Sequence, residues 1–145
     1  MAVEPEQAPR VVLPPGWPRP SGFSQALRVP AGRELVFVAG QVGWDVHGRF
    51  SSRDFLPQFE QALRNCVAVV EAAGGQASDI VRLTMFCTDR QDYLGRLAEV
   101  GAAYRRVMGR HYPAMSLVQV AALVEQDARI EIEATAAVPA GGGAA

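Results

Sequence analysis

Two stretches of this 145-residue chain, Leu35-Val36-Phe37-Val38-Ala39 and Leu117 to Leu123, are apolar at nearly every position. A strand covered on one face alternates apolar with polar residues, whereas a strand apolar throughout is covered on both. Only two segments of the chain read as helices, and two helices cover one face of a sheet. No remaining segment is large enough to cover the other. A second copy of the chain is the economical cover, so a homo-oligomer is expected from these strands alone.

The elements follow from local pattern. Phe23 to Val29 reads as a short strand, broken by Pro30-Ala31-Gly32, and Leu35 to Ala39 as a strand ending at Gly40-Gln41. Gly40 suits either a close backbone approach or an unusual dihedral. A loop over residues 43–54 carries Trp44, Asp45, His47 and Gly48. Asp54 then caps a long helix whose apolar residues Phe55, Phe59, Leu63, Cys66, Val70 and Ala73 step by three or four. Pro57 is tolerated in its first turn, and Gly74-Gly75 stops it. Ile80 to Thr88 is the next strand. A second helix is expected from about Gln91 to Met108, capped by Asp89, buried along Leu94, Leu97, Val100, Tyr104 and Val107, and ended by Gly109. Met115 to Val124 and Ala128 to Val138 are the last strands. The order β-β-α-β-α-β-β predicts an α+β fold, a mixed sheet with both helices on one face. Residues 1–20 hold six prolines and read as an N-terminal arm, in which Val11, Val12, Leu13 and Trp17 offer apolar contacts. The domain is assigned to residues 21–138, and the glycine-rich residues 139–145 to a mobile tail.

Composition excludes several chemistries. All fourteen basic residues are arginine, so there is no lysine for a Schiff base or a phosphate loop. The net charge of -1 and the lack of a basic run argue against nucleic-acid binding; Arg105-Arg106 and Arg110 come nearest and read as a solvated helix face. Cys66 and Cys87 fall in apolar periodic segments and read as buried reduced thiols. With His47 and His111 isolated, no metal site is expected, and no cofactor. No run is long and apolar enough for a membrane span, and the N-terminus has no signal core, so a cytoplasmic protein is expected.

The last strand carries the chemistry. In Ile130-Glu131-Ile132-Glu133-Ala134 the two carboxylates leave one face and the apolar side chains the other. Paired carboxylates in a plain core are costly unless partnered or put to use. A carboxylate facing an apolar cleft has a raised pKa, which suits a general base near neutral pH. The alternative is an ion pair with an arginine. Glu131 reads as structural, with Arg82 as its candidate partner.

Several motifs, in order, resemble the Rid family of reactive-intermediate deaminases, also called the YjgF family. They are Gly22-Phe23-Ser24-Gln25-Ala26, Leu35-Val36-Phe37-Val38-Ala39-Gly40-Gln41, Gln61-Ala62-Leu63-Arg64-Asn65, Val70-Glu71-Ala72-Ala73-Gly74-Gly75, Tyr112-Pro113-Ala114 and Ile130-Glu131-Ile132-Glu133-Ala134. The resemblance spans roughly residues 20–138. It implies a chorismate-mutase-like fold, a homotrimer with sheets facing inward, and ligand clefts between subunits. It also implies hydrolysis of enamines or imines without metal or organic cofactor.

The resemblance also marks departures. Deaminases carry an arginine after Pro-Ala that grips the substrate carboxylate; here Met115 stands there. Ala39 replaces the usual serine, Phe23 an often-seen tyrosine, Gly101 an asparagine and Leu117 a cysteine. Glu133, the water-activating carboxylate, is retained, with Tyr104 and Gln119. Met115, Leu117, Phe23 and Ala39 are expected to wall an apolar pocket, with core packing the alternative, the better one for Leu117. Tyr104 lies on a buried stripe, and packing explains it without function and is the slightly better reading. Trp44 is expected to edge the cleft, and His47 to be a surface residue. Such a pocket suits a neutral or aromatic substrate, or one whose carboxylate is masked as a thioester or amide. Three functions follow: an enamine or imine hydrolase, a non-catalytic ligand- or partner-binding protein, and a ribonuclease, the last disfavoured by the charge.

Overall fold

A computed structural model describes residues 7–141. The start of the expected arm, residues 1–6, and residues 142–145 of the expected tail lie outside that range. Six strands are present: β1 Arg10–Val12, β2 Ala26–Arg28, β3 Arg33–Val42, β4 Ile80–Cys87, β5 Ala114–Gln119 and β6 Ile130–Pro139. The helices are α1 Phe55–Ala72, α2 Arg90–Leu94 and α3 Leu97–Met108, with a short 3-10 turn at Ala77–Asp79. Strands β3, β6, β4 and β5 form the main sheet in that order, antiparallel except for the parallel β4–β5 pair. It is the expected mixed sheet.

Helix α1 forms where its periodicity says. Asp54 Oδ1 accepts from Phe55 N at 3.0 Å, and Phe55, Phe59, Leu63, Cys66 and Val70 are all buried. They meet Val38, Leu83, Met85, Ile130, Ile132 and Ala134, the inward side chains of β3, β4 and β6, in one core. Gly74, at φ +86°, ends the helix in a conformation that suits glycine. The turn that follows is held by Asp79, which is buried, accepts from Gln76 N at 2.9 Å and pairs with Arg33 at 2.8 Å.

Four expectations change. The arm is not only a lead-in: β1 pairs antiparallel with β2 in a separate two-stranded sheet. The strand expected at Phe23 to Val29 is split, because Ser24 bridges to Ala114 and only Ala26–Arg28 pairs with β1. The second helix is broken at Gly95 and Arg96, where Arg96 leaves helical dihedrals at φ -138° and ψ 39°. The residue that caps α2 is Gly95, and glycine is the weakest ordinary helix former after proline, so the break falls there. Strand β5 stops at Gln119 rather than Val124; Val120 still donates to Cys87 O at 2.8 Å, and then the chain leaves the sheet, with Val124 98% exposed. The apolar run Ala121 to Leu123 is therefore loop, and its hydrophobicity does not report a twice-covered strand.

Strand β3 continues past its expected end. A register shift between Val38 and Gln41 marks a bulge at Ala39-Gly40, and pairing resumes to Val42. Gly40 has an ordinary dihedral and serves close approach, since a Cβ there would collide with the Glu131 carboxylate. The open face of the sheet carries Leu35 (57% exposed), Phe37 (76%) and Val118 (44%). Among the described residues no helix lies over it.

Candidate functional site

Helix α3 packs chiefly against α1 and not down onto the β4–β5 edge of the sheet. A wedge is left between them, a cavity of about 610 Å³. Its sheet side is Met85, Met115 and Leu117; its helix side is Leu97, Val100, Gly101, Tyr104 and Arg105. The third wall is Ser21-Gly22-Phe23, held in place where Ser24 N donates to Pro113 O at 3.1 Å and Ser24 Oγ to Tyr112 O at 2.5 Å. Five residues singled out in the sequence, Met115, Leu117, Phe23, Tyr104 and Gly101, thus meet in one place. Met115 and Leu117 face inward because β5 runs parallel to β4 with Leu83 opposite Met115 and Met85 opposite Leu117.

Tyr104 is held rigidly. Its ring stacks on Tyr112 with centroids 5.4 Å apart and planes 8° from parallel, and its hydroxyl donates to His111 O at 2.7 Å. Burial first, and the neighbouring Tyr112 second, push the phenol's pKa up, so it stays protonated. The donated proton is committed to the backbone, which leaves Tyr104 an acceptor and a packing surface for a ligand, not a donor. His111 is committed as well, its Nε2 lying 2.6 Å from Ile80 O at the start of β4.

The other four named residues do not enter the cavity. Gln119 is exposed, and its Oε1 accepts from Arg90 N at 2.9 Å at the start of α2. Ala39 lies exposed in the β3 bulge. Trp44 pairs with Phe50 across the 43–54 loop, ring centroids 6.1 Å apart, and its carbonyl accepts from Asn65 Nδ2. Glu133 is exposed on the open face of the sheet, opposite Thr84. It borders a small cavity of about 130 Å³ shared with Phe37, Arg82, Thr84 and Thr135.

One sequence reading is corrected here, the pairing of Arg82 with Glu131, and the place of Glu133 within a single chain is defined. Within one chain Glu133 does not open into the apolar pocket; the alternation that buries Ile132 and Ala134 under α1 sends Glu133 to the other side. Arg82 does not partner Glu131 either. The register sets Phe86 opposite Glu131 and Arg82 opposite Thr135, so Arg82 lies beside Glu133, and among the described residues it forms no ion pair with either acid.

One residue of the cavity was missed. Arg105 and Arg106 are both exposed on α3, in keeping with their reading as a helix surface, and Arg106 bonds Glu60 Oε1 at 2.7 Å across to α1. Arg105 lines the cavity. The signal was present: Leu97, Gly101 and Arg105 are spaced by four and share a helix face.

Comparison with known proteins gives consistent results. The family model described as Endoribonuclease L-PSP matches residues 18–138. A 2-iminobutanoate/2-iminopropanoate deaminase of Salmonella typhimurium is 39% identical over 105 residues, 70% of this chain and 78% of its own length. The crystal structure of YyfB from Yersinia pestis, of the conserved Rid protein family, superposes with a TM-score of 0.75 at 34% identity, covering 90% of this chain and 98% of that one. E. coli TdcF, crystallised with bound serine, superposes with a TM-score of 0.62 at 32% identity, covering 94% and 98%.

Proposed function

The chain belongs to the Endoribonuclease L-PSP family, which includes the Rid or YjgF proteins, and on that premise we propose a homotrimer that hydrolyses a small enamine or imine in clefts at its subunit junctions. The observation that carries this reading is the separation of Glu133 from the cavity. The acid and the α3 wedge lie on opposite faces of one sheet, and the face bearing Glu133 also exposes Leu35, Phe37 and Val118. Packing that face against a neighbour buries the apolar side chains and carries Glu133 to a wedge that is not its own.

The chemistry then needs no cofactor. Glu133 removes a proton from water as the oxygen bonds to the C=N carbon, and the π pair moves to nitrogen, which is protonated. The carbinolamine collapses: the oxygen lone pair forms C=O, its proton is lost, and nitrogen leaves as ammonia. The sum is an imine plus water giving a ketone plus ammonia; an enamine first tautomerises to the imine. Met115 and Leu117 supply an uncharged floor, so the reacting carbon bears no free carboxylate there. A general base contributes roughly 10²–10⁴-fold to such a step.

Ammonia release from a panel of imines, generated in situ by an amine or amino acid oxidase, tests the reading. Glu133→Gln is expected to lower turnover by about 100-fold or more, with assembly and ligand affinity kept; turnover unchanged by the substitution sinks it. A second reading, binding without turnover, draws on the commitment of Tyr104 and Gln119 to backbone partners, which leaves few polar groups to orient a substrate. It requires wild-type protein to release no ammonia above the spontaneous rate. RNA cleavage has less support, because the net charge is -1 and the cavity is walled mainly by apolar side chains rather than by a stripe of cations.

A further inference from the structure

Among the described residues Arg105 is the only charged one in the wall of the α3 wedge, and no carboxylate lines it. Its side chain folds back toward the start of α3, as helical side chains do, and lies against Gly101. A Cβ added at Gly101 would stand 3.2 Å from Arg105 Nη1, so the glycine leaves the shelf on which the guanidinium rests. Glycine is a weaker helix former than alanine, and α3 nonetheless carries one at the position facing the cavity. Elsewhere Arg33 pairs with Asp79, Arg64 and Arg106 with Glu60, Arg96 with Asp54 and Arg129 with Asp92, while Arg19 and Arg110 line the adjoining cavity beyond Ser21-Gly22-Phe23 and not the wedge itself. Among the described residues none of the ion pairs uses Arg105.

We infer that Arg105 is the anion-binding group of this cavity, and that the ligand is an imine or enamine acid whose carboxylate is held away from the C=N carbon by an apolar chain or ring. The assignment rests on the reading of the wedge as the ligand site and narrows its substrate. Met115 leaves the strand wall uncharged, while the one cation stands on the helix wall. Between them the lining is Phe59, Met85, Val100 and Leu117. A ligand that satisfies both walls is acidic at one end and apolar in its body. A short 2-imino acid, with its carboxylate on the reacting carbon, cannot place carbon at the floor and charge on the helix at once. Arg105 is exposed at the cavity's helix wall, and a fork of guanidinium donors there suits a carboxylate at the mouth with the apolar body of the ligand turned inward. The expectation of a neutral ligand is thereby replaced by one of a distal acid.

Stable ketone products serve as probes. Titration calorimetry on the full-length protein would compare 5-oxohexanoate, its methyl ester and 2-oxobutanoate, in wild type, Arg105→Gln and Arg105→Met. Wild type is expected to bind 5-oxohexanoate at least tenfold more tightly than the ester and more tightly than 2-oxobutanoate. Both variants are expected to lose about ten- to a hundredfold for the acid while holding the ester within about twofold, which also reports that the pocket has folded. Equal binding of acid and ester by wild type, an acid affinity untouched in the variants, a preference for 2-oxobutanoate, or no binding of any of the three overturns the assignment. An acid preference that depends on Arg105 in a protein releasing no ammonia supports the assignment and counts only against the hydrolase reading.

Discussion

Cys66 illustrates what single side chains contribute here. It is buried on the inner face of α1, its Sγ lies 3.4 Å from Ile132 O, and burial pushes its thiol up to about 12. The thiolate, not the thiol, is the nucleophile, so the residue acts as a small hydrophobe. With the folded pKa above the unfolded one, its contribution to stability is complete below about pH 9 and is lost as pH rises from there toward 12. Native protein at pH 8 is accordingly expected to leave Cys66 unlabelled by a maleimide over an hour, whereas protein in denaturant labels at once; mass spectrometry of the alkylated peptides checks this. The contrasting residues are Tyr104 and Gln119. The resemblance suggested that both handle a ligand, and Tyr104 spends its hydroxyl proton, and Gln119 its Oε1, on backbone groups instead.

Among the elements, the 3-10 turn Ala77–Asp79 does more than its three residues suggest. Asp79 accepts from Gln76 N and from Arg33 Nη1, and Arg33 Nη1 also donates to Ala137 O. The turn is thereby tied to the start of β3 and the end of β6. The two side chains are each 5% exposed, so removing one leaves a charge with little water. Asp79→Ala is predicted to cost about 3–5 kcal/mol, read as a lowered denaturation midpoint at fixed protein concentration. Asp79→Asn, which keeps an acceptor for Gln76, should lose less. A second element-level feature is the break in the α2–α3 helix. Leu97 restarts the helix after Gly95 and Arg96, and α3 then leans on α1, so the wedge exists because β4 and β5 are left partly uncovered.

At the scale of the molecule, one face of the sheet carries the core and the other carries Leu35, Phe37 and Val118 beside Glu133 and Arg82. An apolar patch rimmed by charge on a sheet is an interface signature. Phe37→Glu, at a residue 76% exposed in the single chain, is predicted to shift the assembly toward monomer without unfolding it. Sedimentation velocity with circular dichroism measures both, and an unchanged sedimentation coefficient would refute the assignment of this face. Ammonia release, if assembly completes the site, falls in the same variant although Phe37 is not in the wedge.

Most of the fold was legible in the residues. Helical and strand periods are local, and so were the Asp54 and Asp89 caps, the Gly74 stop and the alternation of Glu131 and Glu133 with Ile130, Ile132 and Ala134. Less of the candidate site was, because a cavity is made by elements distant in the chain. The parallel register that turns Met115 inward, the tilt of α3 that opens the wedge, and the Gly101 shelf that admits Arg105 are long-range packing outcomes. Sequence by itself determined which side chains share a face of each element, because that depends only on backbone period. Tertiary structure alone decided which faces meet, and so set Glu133 and Met115 on opposite sides of one sheet, because strand pairing and helix docking join residues that no local rule relates.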